Sequence, residues 1–134
     1  MLHGGAVTWN SKRQPTVALS TTEAEYMALG QATKESAWIK RLLVEIGFHQ
    51  QNQPAKILSD NQGAISLTKK LMFHSQTKHI DIQHHFLCEK SKASEIRVVH
   101  CRTENMLADV LTKALSRDKH QRFMAGMGLK EGRK

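Results

Sequence analysis

A long helix with a marked start and a marked end most constrains what this chain can fold into. Ser20-Thr21-Thr22-Glu23 forms a capping box, in which side chains satisfy free N–H groups at a helix start. Small and aliphatic residues then recur at steps of three or four as far as Gly47, which favours a helix end: Ala24, Ala28, Ala32, Ile39, Leu43 and Ile46. The pattern predicts a helix of about 26 residues, ~39 Å long, whose small-residue first half suits packing against a sheet.

Short strand and helix patterns alternate along the rest of the chain. The predicted strands cover residues 6–9, 55–59 and 96–101. The further predicted helices cover residues 62–70, from about 81 to 92, and 103–115. This order is that of an α/β layer fold. The length of 134 residues, without internal repeats, is that of one domain.

The charge balance points to a polyanionic partner. Twenty Lys and Arg against twelve Asp and Glu give a net charge of +8, and nucleic acid is the commonest intracellular polyanion. A basic but merely soluble protein is the alternative. No apolar run approaches the roughly 20 residues that span a bilayer, and no signal-peptide pattern is present. We therefore expect an intracellular protein, cytoplasmic or nuclear, that is not secreted and has no membrane partner.

Three acidic residues are candidates for metal chemistry. Asp60 ends a predicted strand, where ligands of open α/β sheets bind, and Glu25 and Asp109 lie early in predicted helices. Converging carboxylates suit hard divalent cations, and two such cations can clamp a phosphodiester. Each residue also has an ordinary structural explanation: a helix N-terminal acid for Glu25, a turn or cap for Asp60, and a solvated helix face for Asp109.

Five segments, in this order along the chain, carry a more specific pattern: Val7–Tyr26, Asp60–Gln62, Phe73–Ile82, His85-Phe86 and Thr103–Lys113. Together they resemble the ribonuclease H domain of copia-type LTR retrotransposon Pol polyproteins, over nearly the whole chain. The resemblance implies a ribonuclease H-like three-layer mixed sheet with flanking helices, incomplete at the N-terminus. It also implies a division into residues 1–115, a ribonuclease H-like domain lacking its first strand, and residues 116–134, a basic tail.

The same resemblance implies two-metal hydrolysis of the RNA strand of RNA–DNA hybrids, with Mg²⁺ or Mn²⁺ held by Glu25, Asp60 and Asp109. The family's fourth carboxylate, on its first strand, has no counterpart, because no Asp or Glu precedes Glu23. A site short of one ligand should bind metal weakly. We therefore expect weak or no activity from this chain alone. We also expect an N-terminally truncated copy that folds poorly by itself or takes the missing strand from a partner.

The expected partners are an RNA–DNA hybrid and the reverse transcriptase portion of the polyprotein, with self-association through an exposed sheet edge as a further possibility. The residues expected to contact nucleic acid are Lys12, Arg13, Asn61, Lys69, Lys70, Lys78, His79 and Lys113. Two alternatives stay open. One is a vestigial basic module that binds nucleic acid without turnover. The other is a zinc-binding interaction domain that uses His84 or His85 with Cys88.

Overall fold

The computed structural model describes residues 4–14, 17–48, 53–69 and 78–130, without the side chains of 78–81, 83 and 84. The helices are α1 (Thr21–Glu45), α2 (Gln62–Lys69), α3 (Lys78–Lys92) and α4 (Arg117–Gly126), and the strands are β1 (Ala55–Ser59) and β2 (Ile96–His100). Two 3₁₀ helices cover Thr103–Asn105 and Leu107–Leu111. The α/β class is thereby confirmed, and the elements are compatible with an incomplete ribonuclease H-like fold.

The chain forms two compact units. The sheet unit is Ala18–Thr103, and the terminal unit combines Met1–Val17 with Glu104–Lys134. None of the helices in the described part of the chain is long and apolar enough to cross a membrane.

The sheet unit is built on two parallel strands. β1 pairs with β2 in a register that runs from Ala55 opposite Ile96 to Ser59 opposite His100. Helices α1, α2 and α3 pack against one another and around the sheet. Their shared core consists of Tyr26, Leu29, Ile57, Ala64, Leu87 and Ile96. Ile57 of β1 belongs to this core, which therefore holds the strand that Asp60 follows.

Both ends of α1 form as the sequence predicts. The Ser20 hydroxyl oxygen accepts a hydrogen bond from the Glu23 N–H at 3.1 Å, and a Glu23 carboxylate oxygen accepts one from the Leu19 N–H at 2.7 Å. At the other end the helix stops at Glu45, and two residues later Gly47 adopts φ +82°, a left-handed conformation that favours glycine just after a helix end.

The buried face of α1 differs from the predicted one. Ala28 and Ala32 are exposed, whereas the helix buries Tyr26, Met27, Leu29, Gly30 and Thr33. The alanine pattern and the buried set share the same helical period and differ only in phase. Tyrosine and leucine remove far more apolar area from water than alanine does, so they determine which face turns inward.

The terminal unit corrects two predictions. Residues 6–9 do not form a strand: Val7 is 50% exposed and Trp9 is 71% exposed, and a strand needs a partner to bond with. The predicted helix over 103–115 is replaced by the two 3₁₀ helices. A helix not predicted from the sequence, α4, lies within residues 116–134 and packs on the 3₁₀ helix Leu107–Leu111.

The anchor of α4 is Phe123, which is 1% exposed. The cationic groups of Lys119 and Arg122 lie 5.2 and 5.3 Å from its ring centroid. Arg122 also donates a hydrogen bond to the Glu104 carbonyl oxygen. Beyond the helix, the Met127 carbonyl oxygen accepts a hydrogen bond of 2.9 Å from the Ala6 N–H, which joins the two ends of the chain within this unit.

Candidate metal-binding carboxylates

Asp60 lies at the carboxyl end of the sheet, directly after β1. Its Oδ2 atom accepts a hydrogen bond of 2.9 Å from the Thr103 hydroxyl, which follows β2. The turn before α2 is built by neighbouring side chains: the buried Ser59 hydroxyl accepts from the Asn61 N–H at 3.2 Å, and the Asn61 side-chain oxygen accepts from the Ala64 N–H at 2.9 Å. Asp60 is therefore held by its neighbours and is half-buried.

The first turn of α1 lies beside this turn. A Cβ placed on Gly63 would lie 3.0 to 3.1 Å from the Thr22 side chain, so the two backbones approach closely here. Glu25 follows Thr22 by three residues, and this spacing puts both on one side of the helix. The Glu25 side chain is exposed. Glu25 thus lies on the same side of α1 as Thr22, the side nearest the turn between β1 and α2.

Asp109 lies in the terminal unit, in the 3₁₀ helix Leu107–Leu111, and only 7% of its side chain is exposed. One of its oxygens, Oδ1, is 2.9 Å from the Lys113 ammonium nitrogen. The other, Oδ2, is buried and has no hydrogen-bond partner among the described residues. A buried carboxylate oxygen without a partner is costly, and such a group calls for a ligand or a water.

The three predicted ligands are divided between the two units. Glu25 and Asp60 belong to the sheet unit and Asp109 to the terminal unit, so their convergence on one ion stays a prediction. Within the described part of either unit, no group of three or more His, Cys, Asp or Glu side chains is arranged to hold a metal ion.

The residues predicted to contact nucleic acid are scattered over both units. Lys12, Arg13 and Lys69 are exposed, whereas Asn61 caps α2 and Lys113 pairs with Asp109. Lys70 lies outside the described residues, as do the side chains of Lys78 and His79. Their contacts with nucleic acid stay predictions.

The zinc alternative centred on α3. His85 and Cys88 line a shallow groove together with Glu89 and Lys92, while the His84 side chain lies outside the described part. The Cys88 thiol is 2% exposed and contacts the Thr68 carbonyl oxygen at 3.3 Å. Burial raises the pKa of this thiol, although the Lys92 ammonium opposes the shift. A thiol kept protonated is a poor zinc ligand, because zinc binds the thiolate.

The chain is thus of the α/β class, with one candidate acid, Asp60, directly after a strand, and the comparisons with known proteins show what it is similar to. The chain is 44% identical over 118 residues to a retrovirus-related Pol polyprotein from transposon TNT 1-94 of Nicotiana tabacum. It is 42% identical over 123 residues to those from transposons RE1 and RE2 of Arabidopsis thaliana.

These alignments cover 88% and 92% of this chain, but only 8 to 9% of the relatives' length. The chain is thus similar to one segment of transposon Pol polyproteins. No protein-family profile matches it. No solved structure matches it either.

Sequence reasoning missed two partners of the acidic residues. Thr103 was predicted to cap a helix, and nothing local in the sequence indicates that its hydroxyl reaches Asp60 across the strand ends. The sequence predicts Lys113 only as a contact to nucleic acid. Its spacing of four residues from Asp109 was the available signal, since residues at this spacing face each other on a helical turn.

Proposed function

We propose that this chain is the ribonuclease H-type segment of a copia-type retrotransposon Pol polyprotein, which cleaves the RNA strand of RNA–DNA hybrids. The similarity to transposon Pol polyproteins supports the origin. The observation that carries the chemistry is the buried Asp109 oxygen without a partner among the described residues, because carboxylate oxygens are the donors that Mg²⁺ and Mn²⁺ prefer.

In this proposal Glu25, Asp60 and Asp109 hold the divalent cations. A divalent cation held there would supply a hydroxide-like nucleophile at neutral pH and charge stabilisation for the leaving oxygen. The side chains of this protein fix where that chemistry happens. Thr103 orients Asp60, and Lys113 holds one oxygen of Asp109 and leaves the other available. We expect weak metal binding and weak turnover, since no fourth carboxylate is assigned in this chain.

The substrate would be held mainly through its phosphates. The net charge of +8 supports binding that does not depend on sequence and that weakens as salt concentration rises. A binding module without turnover is the second candidate, and the same charge favours it. The reverse transcriptase portion of the polyprotein is the expected protein partner. Among the described strands, β1 and β2 pair only with each other, so self-association through an open sheet edge remains a proposal.

A cleavage assay separates the two candidates. The whole chain is incubated with a labelled RNA–DNA hybrid and Mn²⁺, beside Asp60→Asn, Asp109→Asn and the control Asp118→Asn, which removes an exposed acid from the first turn of α4. Cleavage that is lost in the first two variants and kept in the third supports the nuclease. Salt-sensitive binding without cleavage supports the binding module, and neither binding nor cleavage refutes both. A circular dichroism spectrum of each variant checks that it is folded.

A further inference from the structure

Lys113 and Asp109 form a local pair that the short 3₁₀ helix makes possible. The Lys113 N–H donates a backbone hydrogen bond of 2.8 Å to the Asp109 carbonyl oxygen, so the chain makes an α-type turn after the 3₁₀ helix. This turn places the two side chains on the same side. The Lys113 ammonium nitrogen then lies 2.9 Å from Asp109 Oδ1.

The two members of the pair differ strongly in burial. The Asp109 side chain is 7% exposed, whereas the Lys113 side chain is 52% exposed. A buried carboxylate is costly without a cation or hydrogen-bond donors beside it. Lys113 supplies a cation from the solvent side of the pair and contacts one of the two oxygens, Oδ1. The second oxygen, Oδ2, has no hydrogen-bond partner among the described residues and is open to another ligand.

We propose that Lys113 is a positioning residue that acts as a built-in counter-ion for Asp109 and competes with the divalent cation. This inference rests on the proposed function, since it assigns a regulating residue to the same metal ligand. In the metal-free protein the ammonium group pairs with Asp109 Oδ1 and holds the side chain in one orientation. When a dication approaches Oδ2, the fixed positive charge of Lys113 repels it, so the pair lowers metal affinity.

Repulsion at this range is large enough to measure. A unit charge about 5 Å from a dication changes a binding constant by about tenfold even in a water-like dielectric. The ammonium group also has three N–H donors and no acceptor, so it cannot become a metal ligand while it remains charged. Removing the charge should therefore tighten metal binding, although it leaves the buried carboxylate without its partner.

The test measures Mn²⁺ binding to the whole chain by electron paramagnetic resonance of the free ion. Lys113→Gln should bind Mn²⁺ about tenfold more tightly than the wild type. Lys113→Arg keeps the charge and should stay within about twofold of the wild type. Lys130→Gln removes an exposed lysine from the same unit and controls for net charge.

A second measurement needs no variant. Mn²⁺ should loosen the pair and raise the acetylation rate of Lys113 relative to Lys130, read by mass spectrometry of the wild-type chain. Equal or weaker Mn²⁺ binding by Lys113→Gln, or an unchanged acetylation ratio, would overturn the inference about Lys113. The proposed metal site would still stand in that case, provided that Asp109→Asn weakens Mn²⁺ binding. Binding that is absent, or that is unaffected by Asp109→Asn, would overturn the proposed metal site together with the inference.

Discussion

The Thr103 hydroxyl donates a hydrogen bond of 2.9 Å to Asp60 Oδ2, and this bond joins the segments that leave the two parallel strands. Asp60 follows β1 directly, and Thr103 comes three residues after the end of β2. The Cys101 N–H also donates to the Ser59 carbonyl oxygen at 2.8 Å, which extends the pairing beyond β2. The carboxyl end of the sheet is therefore closed by contacts that position an acidic side chain.

Replacing Thr103 with valine should remove this bond while keeping the shape of the side chain. Because Thr103 is exposed, water can partly replace the lost donor, and we expect a loss of about 1 kcal/mol in the free energy of unfolding. Thr103→Ser keeps the hydroxyl and should stay close to the wild type. Urea denaturation of the three proteins measures the difference. Equal stability of the valine variant would show that the bond does not contribute in solution.

The parts of the fold that were predictable are those with a local cause. The capping box at Ser20, the stop at Gly47 and the positions of both described strands follow from patterns within a few residues. The phase of α1 was not predictable in this way, since it depends on what Tyr26 and Leu29 meet across the core. The 3₁₀ helix Leu107–Leu111 likewise depends on packing against α4, whose sequence looked like a charged tail.

The candidate site shows the same limit. Asp60 was placed correctly after a strand because the strand pattern was local. Its bond to Thr103 joins residues 43 positions apart, and no spacing rule reaches that far. The pairing of Lys113 with Asp109 is local, but sequence alone does not show that the acid is buried and the lysine exposed.

The capping box at the start of α1 offers a second prediction. Ser20→Ala leaves the Glu23 N–H without its acceptor, and the expected cost is about 1 kcal/mol, with a range of roughly 0.5–2. Ser20→Asp retains an acceptor oxygen and should lose much less. Thermal melts followed by circular dichroism at 222 nm compare them. An alanine variant as stable as the aspartate variant would contradict the capping role.

The core of the sheet unit gives a third prediction. Leu87 on α3 has 0% exposure and belongs to the cluster around Tyr26 and Ile57. Leu87→Ala should cost about 2–5 kcal/mol, because it removes buried apolar area and leaves a cavity. The matched control is Leu58→Ala, since Leu58 in β1 is 45% exposed and should cost far less. Similar losses in urea denaturation would mean that α3 does not pack as described.

The two thiols should differ in reactivity. Cys88 is buried with a raised pKa and contacts the Thr68 carbonyl oxygen, whereas Cys101 is only half-buried. Since the thiolate is the reactive form, iodoacetamide at pH 8 should modify Cys101 much faster than Cys88. Mass spectrometry of timed samples gives both rates. As a control, urea should unfold the protein and make both thiols react at similar, higher rates. Comparable rates of the two thiols in the folded protein would contradict the burial of Cys88.

The same burial predicts the direction of the pH dependence of stability. Burial raises the pKa of the Cys88 thiol above its ordinary value of 9.0, and burial also raises the pKa of Tyr26, with a smaller contribution from Cys88. The unfolded chain therefore ionises first, so the stabilising contribution is complete below pH 9.0 and decreases as the pH rises through the folded-state values. Urea denaturation between pH 7 and 11 should show falling stability, and Cys88→Ala should flatten the first part of that fall. A wild-type curve that is level or rising across this interval would contradict the buried, protonated state of both groups.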